Sequence, residues 1–174
     1  MESTLTAAAP VHLPHWREVV LPKEHGSWSL ALEPVALGLL AAPTLGGAAL
    51  ALAATAGFFV RRPLRLALTD SRAERREAAR RAAGACAAIA VTAWFGALVL
   101  GGIGWLAWLI PAAGAGAVFL SFDLQKAGRE QHAEVAGAFA FAWLPAAFAA
   151  LAGWHRPEAI ALGVVMIARA VPTV

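Results

Sequence analysis

The sequence predicts an all-α membrane protein, a bundle of about six transmembrane helices with two charged cytoplasmic loops. Three observations predict this class. Hydrophobic residues make up 60% of the 174 residues and charged residues only 14%, which is less charge than a soluble domain of this size needs. The apolar residues come in blocks of about 16–19, close to the length that crosses a bilayer. Twelve of the 14 Lys and Arg residues fall in segments expected on one side of the membrane.

Six apolar segments are the candidates for the transmembrane helices. The first two and the last are at the short end of the spanning range, so we expect them to cross with little tilt. Turn-forming stretches separate three pairs of segments, namely APTLGG, GGIG and GWHRPE, which predicts antiparallel hairpins. The six segments are 27–42, 45–60, 82–100, 103–120, 135–151 and 159–174.

The basic residues predict how the chain is oriented. Eight arginines lie in the loop 61–81, and Lys126 and Arg129 lie in the loop 121–134, whereas the opposite side holds only Arg156. The positive-inside rule therefore places the N-terminus and both loops in the cytoplasm. Basic residues beside apolar segments indicate membrane topology and anionic headgroups, and we expect no nucleic-acid partner.

Two domains follow from this topology, a cytoplasmic N-terminal segment (1–26) and a polytopic membrane domain (27–174). The aromatic residues Trp105, Trp108 and Trp154 are expected at the outer interface. Val174 lies in apolar sequence five residues after Arg169. Two interpretations stay open: Arg169 snorkels to the cytoplasmic headgroups, or the natural chain continues beyond Val174.

Glu33 is the most unusual residue of the first segment. A carboxylate in a membrane segment is costly and usually has a partner or a function. Pro34 follows it, which predicts a break in the helix, and His25 lies at the mouth of the segment. Glu33 either forms a salt bridge with an arginine that fixes packing, or lines a cytoplasmic pocket. In the second case we expect it to share the pocket with at least one residue of the set Arg62, Arg65, Lys126 and Glu130.

A second polar group lies in FDLQKAGREQHAEVAG, residues 122–137. In a helix, Asp123, Lys126, Glu130 and Glu134 lie within an arc of about 80°. Carboxylates at the mouth of a span suit Mg²⁺, which prefers oxygen ligands and phosphate. The candidate metal ligands are therefore Asp123, Glu130 and Glu134, and a solvated helix face is the alternative.

A third group of polar residues is the arginines that crowd the inner end of the second segment. Arginine binds phosphate through two parallel hydrogen bonds, and lipid headgroups are the commonest phosphate near a membrane. Positive-inside anchoring accounts for most of these arginines. The candidate ligand-binding residues of the whole chain are His25, Glu33, Arg62, Arg65, Lys126, Arg129 and Glu130.

Three stretches together resemble the bacterial YwiC-like integral membrane proteins: PKEHGSWSLALEP, RRPLRLAL and FDLQKAGREQHAEVAG. Those proteins share Glu-His-Gly followed by Glu-Pro, and an arginine–proline element after the second span. The resemblance covers residues 22–172 and implies a class of membrane protein rather than a reaction. Its members generally run longer, which predicts that the natural chain continues beyond Val174.

Three functions fit these patterns, and whether the protein is an enzyme stays open. In the first, a cytoplasmic pocket binds an anionic or phosphorylated small molecule or lipid. In the second, the protein is similar to UbiA-type prenyltransferases: Asp123 and Glu130 hold Mg²⁺, and the diphosphate meets basic residues. Loop 61–81 offers only Asp70 where those enzymes carry an Asn and two Asp, which counts against this function. In the third, Glu33 is the coupling carboxylate of a transporter, although no internal repeat is obvious. The basic residues of the second hypothesis are Arg62, Lys126 and Arg129.

Overall fold

The computed structural model describes residues 19–21, 26–125 and 131–173, and this part of the chain is helical throughout apart from its turns. Seven α-helices are described, with a 3₁₀ turn before α4 at Leu106–Leu109 and another after α7 at Val171–Thr173. Helices α1 to α7 are Gly26–Ala41, Leu45–Thr69, Ala73–Gly101, Ile110–Leu124, Gln131–Ala142, Leu144–Leu151 and Arg156–Ala170.

The all-α prediction is confirmed, and each predicted segment coincides with helical structure. Only Trp143 separates α5 from α6, so these two helices together occupy the fifth segment. Among the described residues, two helical stretches are long and apolar enough to cross a membrane, Ala73–Gly101 and Gln131–Leu151. The apolar helices Trp28–Ala41 and Leu106–Phe122 are shorter. Six membrane crossings therefore stay a prediction.

The charged loop expected at 61–81 is mostly helical. Helix α2 continues through Pro63 to Thr69 and α3 begins at Ala73, so only residues 70–72 form a turn. At about 1.5 Å per residue, α2 and α3 are about 37 Å and about 43 Å long. Both exceed the hydrocarbon thickness of about 30 Å. The acid–base spacing of residues 71–81 does predict a surface helix, so the part that was missed is the continuation of α2 through 61–69. Hydropathy does not distinguish a charged helix from a charged loop.

The break expected at Pro34 is not observed. Helix α1 runs without interruption from Gly26 to Ala41, and Pro34 is buried within the bundle. Proline lacks a backbone N–H, so the carbonyl of Leu30 receives no helix hydrogen bond from it. Tertiary packing on the proline ring holds the helix together despite that loss.

The largest core cluster is centred on Phe148 in α6. This side chain has no exposed surface and packs with Val35 of α1 and Leu50 of α2. A Cβ atom on Gly38 would lie only 2.5 Å from the Phe148 ring, so glycine is what allows α1 to approach α6. Trp105 belongs to the same cluster, and its expected place at the outer interface stays a prediction. It is 2% exposed and packs edge-on against Trp94, with the ring centroids 5.3 Å apart.

The six helical segments alternate in direction, with α5 and α6 counted as one segment, so their turns collect at two ends. Helix α2 packs along α3, α4 packs on α5, and α6 packs on α7, while α1 contacts α2, α5 and α6. The three short turns meet at one end, where Leu151 lies against Gly46 and Gly101. The opposite end, which we call the basic end, holds the α2–α3 turn at 70–72. There Val19 of the N-terminal segment is buried against α2 and α3.

Candidate functional site

The α2–α3 turn at the basic end is organised by Asp70. Its Oδ1 atom accepts a hydrogen bond of 2.9 Å from the backbone N–H of Arg72, which closes the turn before α3. Its Oδ2 atom lies 3.5 Å from Nε of Arg75, and Oδ1 lies 3.9 Å from Nε of Arg72. The Asp70 side chain is only 10% exposed. The one acidic residue between α2 and α3 is thus engaged by arginines in a structural role.

Within residues 61–81, eight arginines stand against three carboxylates. Burial is the main cause that lowers the pKa of Arg62, and repulsion from Arg75 and Arg65 adds to it. These three side chains therefore share one electrostatic environment although they come from two helices. Guanidinium groups stay protonated at neutral pH even when their pKa falls, so the cluster keeps its positive charge. We call Arg62, Arg65 and Arg75 the arginine cluster.

Arg61 points from α2 toward α4. Its Cζ atom lies over the ring of Phe119, 4.5 Å from the centroid, which is a cation–π contact. The same ring packs on Gly137 of α5, where an added Cβ would lie 3.0 Å from it. A basic group is thereby held at the junction of α2, α4 and α5.

Glu33 pairs with Arg169. Nε of Arg169 donates to Oε2 of Glu33 at 2.9 Å, and this bond joins the first helix to the last described α-helix. The Glu33 side chain is 42% exposed and that of Arg169 is 66% exposed. Glu33 thus belongs to a partly exposed pair between α1 and α7. A pocket shared with at least one of Arg62, Arg65, Lys126 and Glu130 stays a prediction. A salt bridge that fixes packing was the alternative prediction.

Several of the predicted site residues lie outside the described part of the chain. These are His25, Lys126, Arg129, Glu130 and the side chain of Asp123. Glu134 is described and lies half-buried in the first turn of α5. Within the described residues, no group of three or more His, Cys, Asp or Glu side chains is placed to hold a metal ion. The metal site at Asp123, Glu130 and Glu134 stays a prediction.

Sequence reasoning missed three residues that the structure brings into these contacts. Arg75 and Phe119 were not singled out, because nothing local indicates that Arg75 shares its surroundings with Arg62 or that Phe119 lies under Arg61. Arg169 was noted only as a side chain near the headgroups. One signal for that pair was available in the sequence. Glu33 in the first segment and Arg169 in the last are opposite charges in apolar surroundings, where a charged side chain usually needs a partner.

A protein-family model described as YwiC-like protein matches residues 21–149, which is more than half of the chain. The matched region includes Glu33, the arginine cluster and Phe119, and it ends before Arg169. Neither a curated protein nor a solved structure is similar enough to match the chain. The comparisons therefore give a family, and the chemistry has to be argued from the contacts above.

Proposed function

The chain belongs to the YwiC-like family, and on that premise we propose that it is a multi-pass protein of the bacterial inner membrane that binds an anionic or phosphorylated ligand at its basic end. Helix α3 supports the membrane assignment. Only 17% of its apolar window is buried within the protein, whereas the core helix of a soluble protein is mostly buried. Its exposed side chains include Phe95 and Val99, which suit contact with lipid.

The arginine cluster is the observation that carries ligand binding. Burial of Arg62 and repulsion from the neighbouring Arg75 and Arg65 lower the pKa of the Arg62 guanidinium, so positive charge is concentrated around this side chain. Asp70 lies beside this cluster and pairs with Arg75 and Arg72. A bound phosphate would relieve the repulsion and accept several charge-assisted hydrogen bonds. The positive-inside rule supports a cytoplasmic location for this end.

The experiment that tests this function is a thermal-shift titration of the purified protein in a neutral detergent at low ionic strength. The probes are inorganic phosphate and dioleoyl phosphatidic acid. We expect at least one of them to raise the Tm, Arg62→Gln to remove most of that rise, and added salt to weaken it. Arg156→Gln is the matched control, because it removes the same charge at the opposite end. The proposal fails if neither probe raises the Tm, or if both variants reduce the rise equally.

The two alternative functions gain no support from a described contact. The transporter hypothesis used a helix broken at Pro34, and α1 is continuous there. The prenyl-transfer hypothesis depends on Asp123 and Glu130, whose side chains lie outside the described part of the chain. Anion binding at the arginine cluster is therefore the function we propose.

A further inference from the structure

An aromatic strip runs along the bundle just below the arginines. Trp28 of α1 packs against Phe59 of α2 with ring centroids 5.5 Å apart. Phe59 contacts Phe58 at 5.6 Å, and Phe58 contacts Phe141 of α5 at 5.7 Å. Three of these four rings, Trp28, Phe59 and Phe141, are only half-buried. Aromatic surface is therefore left available between the helices.

The strip continues to α4 through one face of α5. Gly137 and Phe141 are four residues apart, so they lie one above the other on that helix. Phe119 packs on Gly137, and Arg61 lies over Phe119. In the described part of the chain, α2 and α4 do not pack along their lengths, and the Arg61–Phe119 contact joins them at the basic end. A series of aromatic side chains thus leads to a guanidinium group between α2 and α4.

The depth of these groups matches the profile of one bilayer leaflet. From Leu45, where α2 begins at the opposite end, the rise to Arg61 is about 24 Å at about 1.5 Å per residue. A hydrocarbon layer is about 30 Å thick, so a bilayer whose outer boundary lies about 6 Å beyond Leu45 has Arg61 at its inner boundary. Phe59 lies about 3 Å deeper, at the top of the acyl region.

We infer that the aromatic strip and the arginines above it bind a phospholipid, with its phosphate at Arg61 and Arg62 and its acyl chains along the strip. This inference rests on the proposed anion-binding function and assigns the ligand to a lipid rather than to a free phosphate. Charge complementarity selects the head, because arginine donates in-plane hydrogen bonds to phosphate while its face lies on an aromatic ring. The half-buried rings select a hydrocarbon tail, which a soluble phosphate lacks.

The test is displacement of a fluorescent dioleoyl phosphatidic acid from the detergent-purified protein. The competitors are dioleoyl phosphatidic acid, dihexanoyl phosphatidic acid, inorganic phosphate and dioleoylglycerol, which has no phosphate. We expect the first to compete at least about tenfold better than each of the others, because both the head and the tail contribute. Arg61→Gln should weaken binding of dioleoyl phosphatidic acid about tenfold, because one charge-assisted hydrogen bond is lost.

Two phenylalanine variants test the strip. Phe119→Leu and Phe59→Leu should each weaken binding of the long-chain lipid about two- to fivefold. Phe59→Leu should leave inorganic phosphate unchanged, because the ring that lies under Arg61 is that of Phe119. Phe95→Leu is the matched control, since Phe95 is exposed on α3 away from the strip. Tm values measured in parallel identify any variant that fails to fold. If one of the two strip variants fails to fold, the lipid affinity of the other strip variant tests the inference.

The outcomes separate this inference from the proposed function. If inorganic phosphate competes as well as the long-chain lipid and Arg62→Gln weakens both, the anion site stands and the lipid assignment is overturned. If Phe95→Leu weakens binding as much as the two strip variants, the lipid contacts the bundle without a defined site and the inference is overturned. If the fluorescent lipid does not bind and inorganic phosphate gives no thermal shift, both proposals fail.

Discussion

Replacing Gly38 with alanine tests the contact that positions α1, the helix that carries Trp28 and Glu33. A Cβ at this position would lie 2.5 Å and 2.6 Å from two ring atoms of Phe148 and 3.1 Å from its Cβ. The ring cannot rotate clear of all three contacts, because the last atom is attached to the α6 backbone. Phe148 is also fully buried, so its neighbours leave it little room to move.

The expected cost of Gly38→Ala is about 1–3 kcal/mol, which is typical of overpacking a closed core. Opposing this, alanine is favoured over glycine in a helix by about 0.5–1 kcal/mol. Gly57→Ala isolates that second effect, because nothing lies within 4 Å of the added Cβ and the residue is inside α2. We therefore expect Gly38→Ala to lower the Tm and Gly57→Ala to leave it unchanged or raise it slightly.

Thermal unfolding in detergent measures both changes, at about 2–4 °C per kcal/mol for a chain of this length. A double-mutant cycle with Phe148→Leu makes the assay specific. The smaller side chain should cost less stability in the Gly38→Ala background than in the wild type, since it relieves the overlap. Equal stability of Gly38→Ala and Gly57→Ala would refute the α1–α6 contact and, with it, the placement of Trp28 and Glu33.

Two further predictions concern the ion pair and the topology. Glu33→Gln and Arg169→Gln should each lower the Tm, and the charge exchange Glu33→Arg with Arg169→Glu should recover part of the loss; additive losses in the exchanged protein would show that the two groups do not pair. In a protein whose native cysteine has been replaced, a cysteine at Ser71 should react with impermeant maleimide only after the cells are opened, whereas one at Arg156 should react in intact spheroplasts. Labelling of Ser71 from outside would reverse the proposed orientation.

The helical class and most of the turns were readable from the sequence because they depend on local chemistry. Apolar blocks separated by glycine and proline predict helices and turns whatever the helices pack against. The length of α2 was not readable, because its last turns are charged and hydropathy does not distinguish a charged helix from a charged loop. The effect of Pro34 was misjudged for a related reason, since its propensity to interrupt a helix is offset by burial of its ring in the bundle.

The candidate site shows the same division more sharply. The positions of the charged residues along the sequence indicated that arginines would crowd one end of the bundle and that Glu33 would need a basic partner. The sequence cannot tell which arginine that is, because Glu33 and Arg169 are 136 residues apart and meet only through the packing of α1 beside the later helices. Likewise, Arg61 lies over Phe119 only because the folded chain brings α2 and α4 together at the basic end. Residue types and their periodicity determined the helices and the sign of the charge at each end of the bundle. Tertiary packing decided the partner of each charged side chain, because contacts between distant segments depend on helix orientation and on side-chain volume at every interface between them.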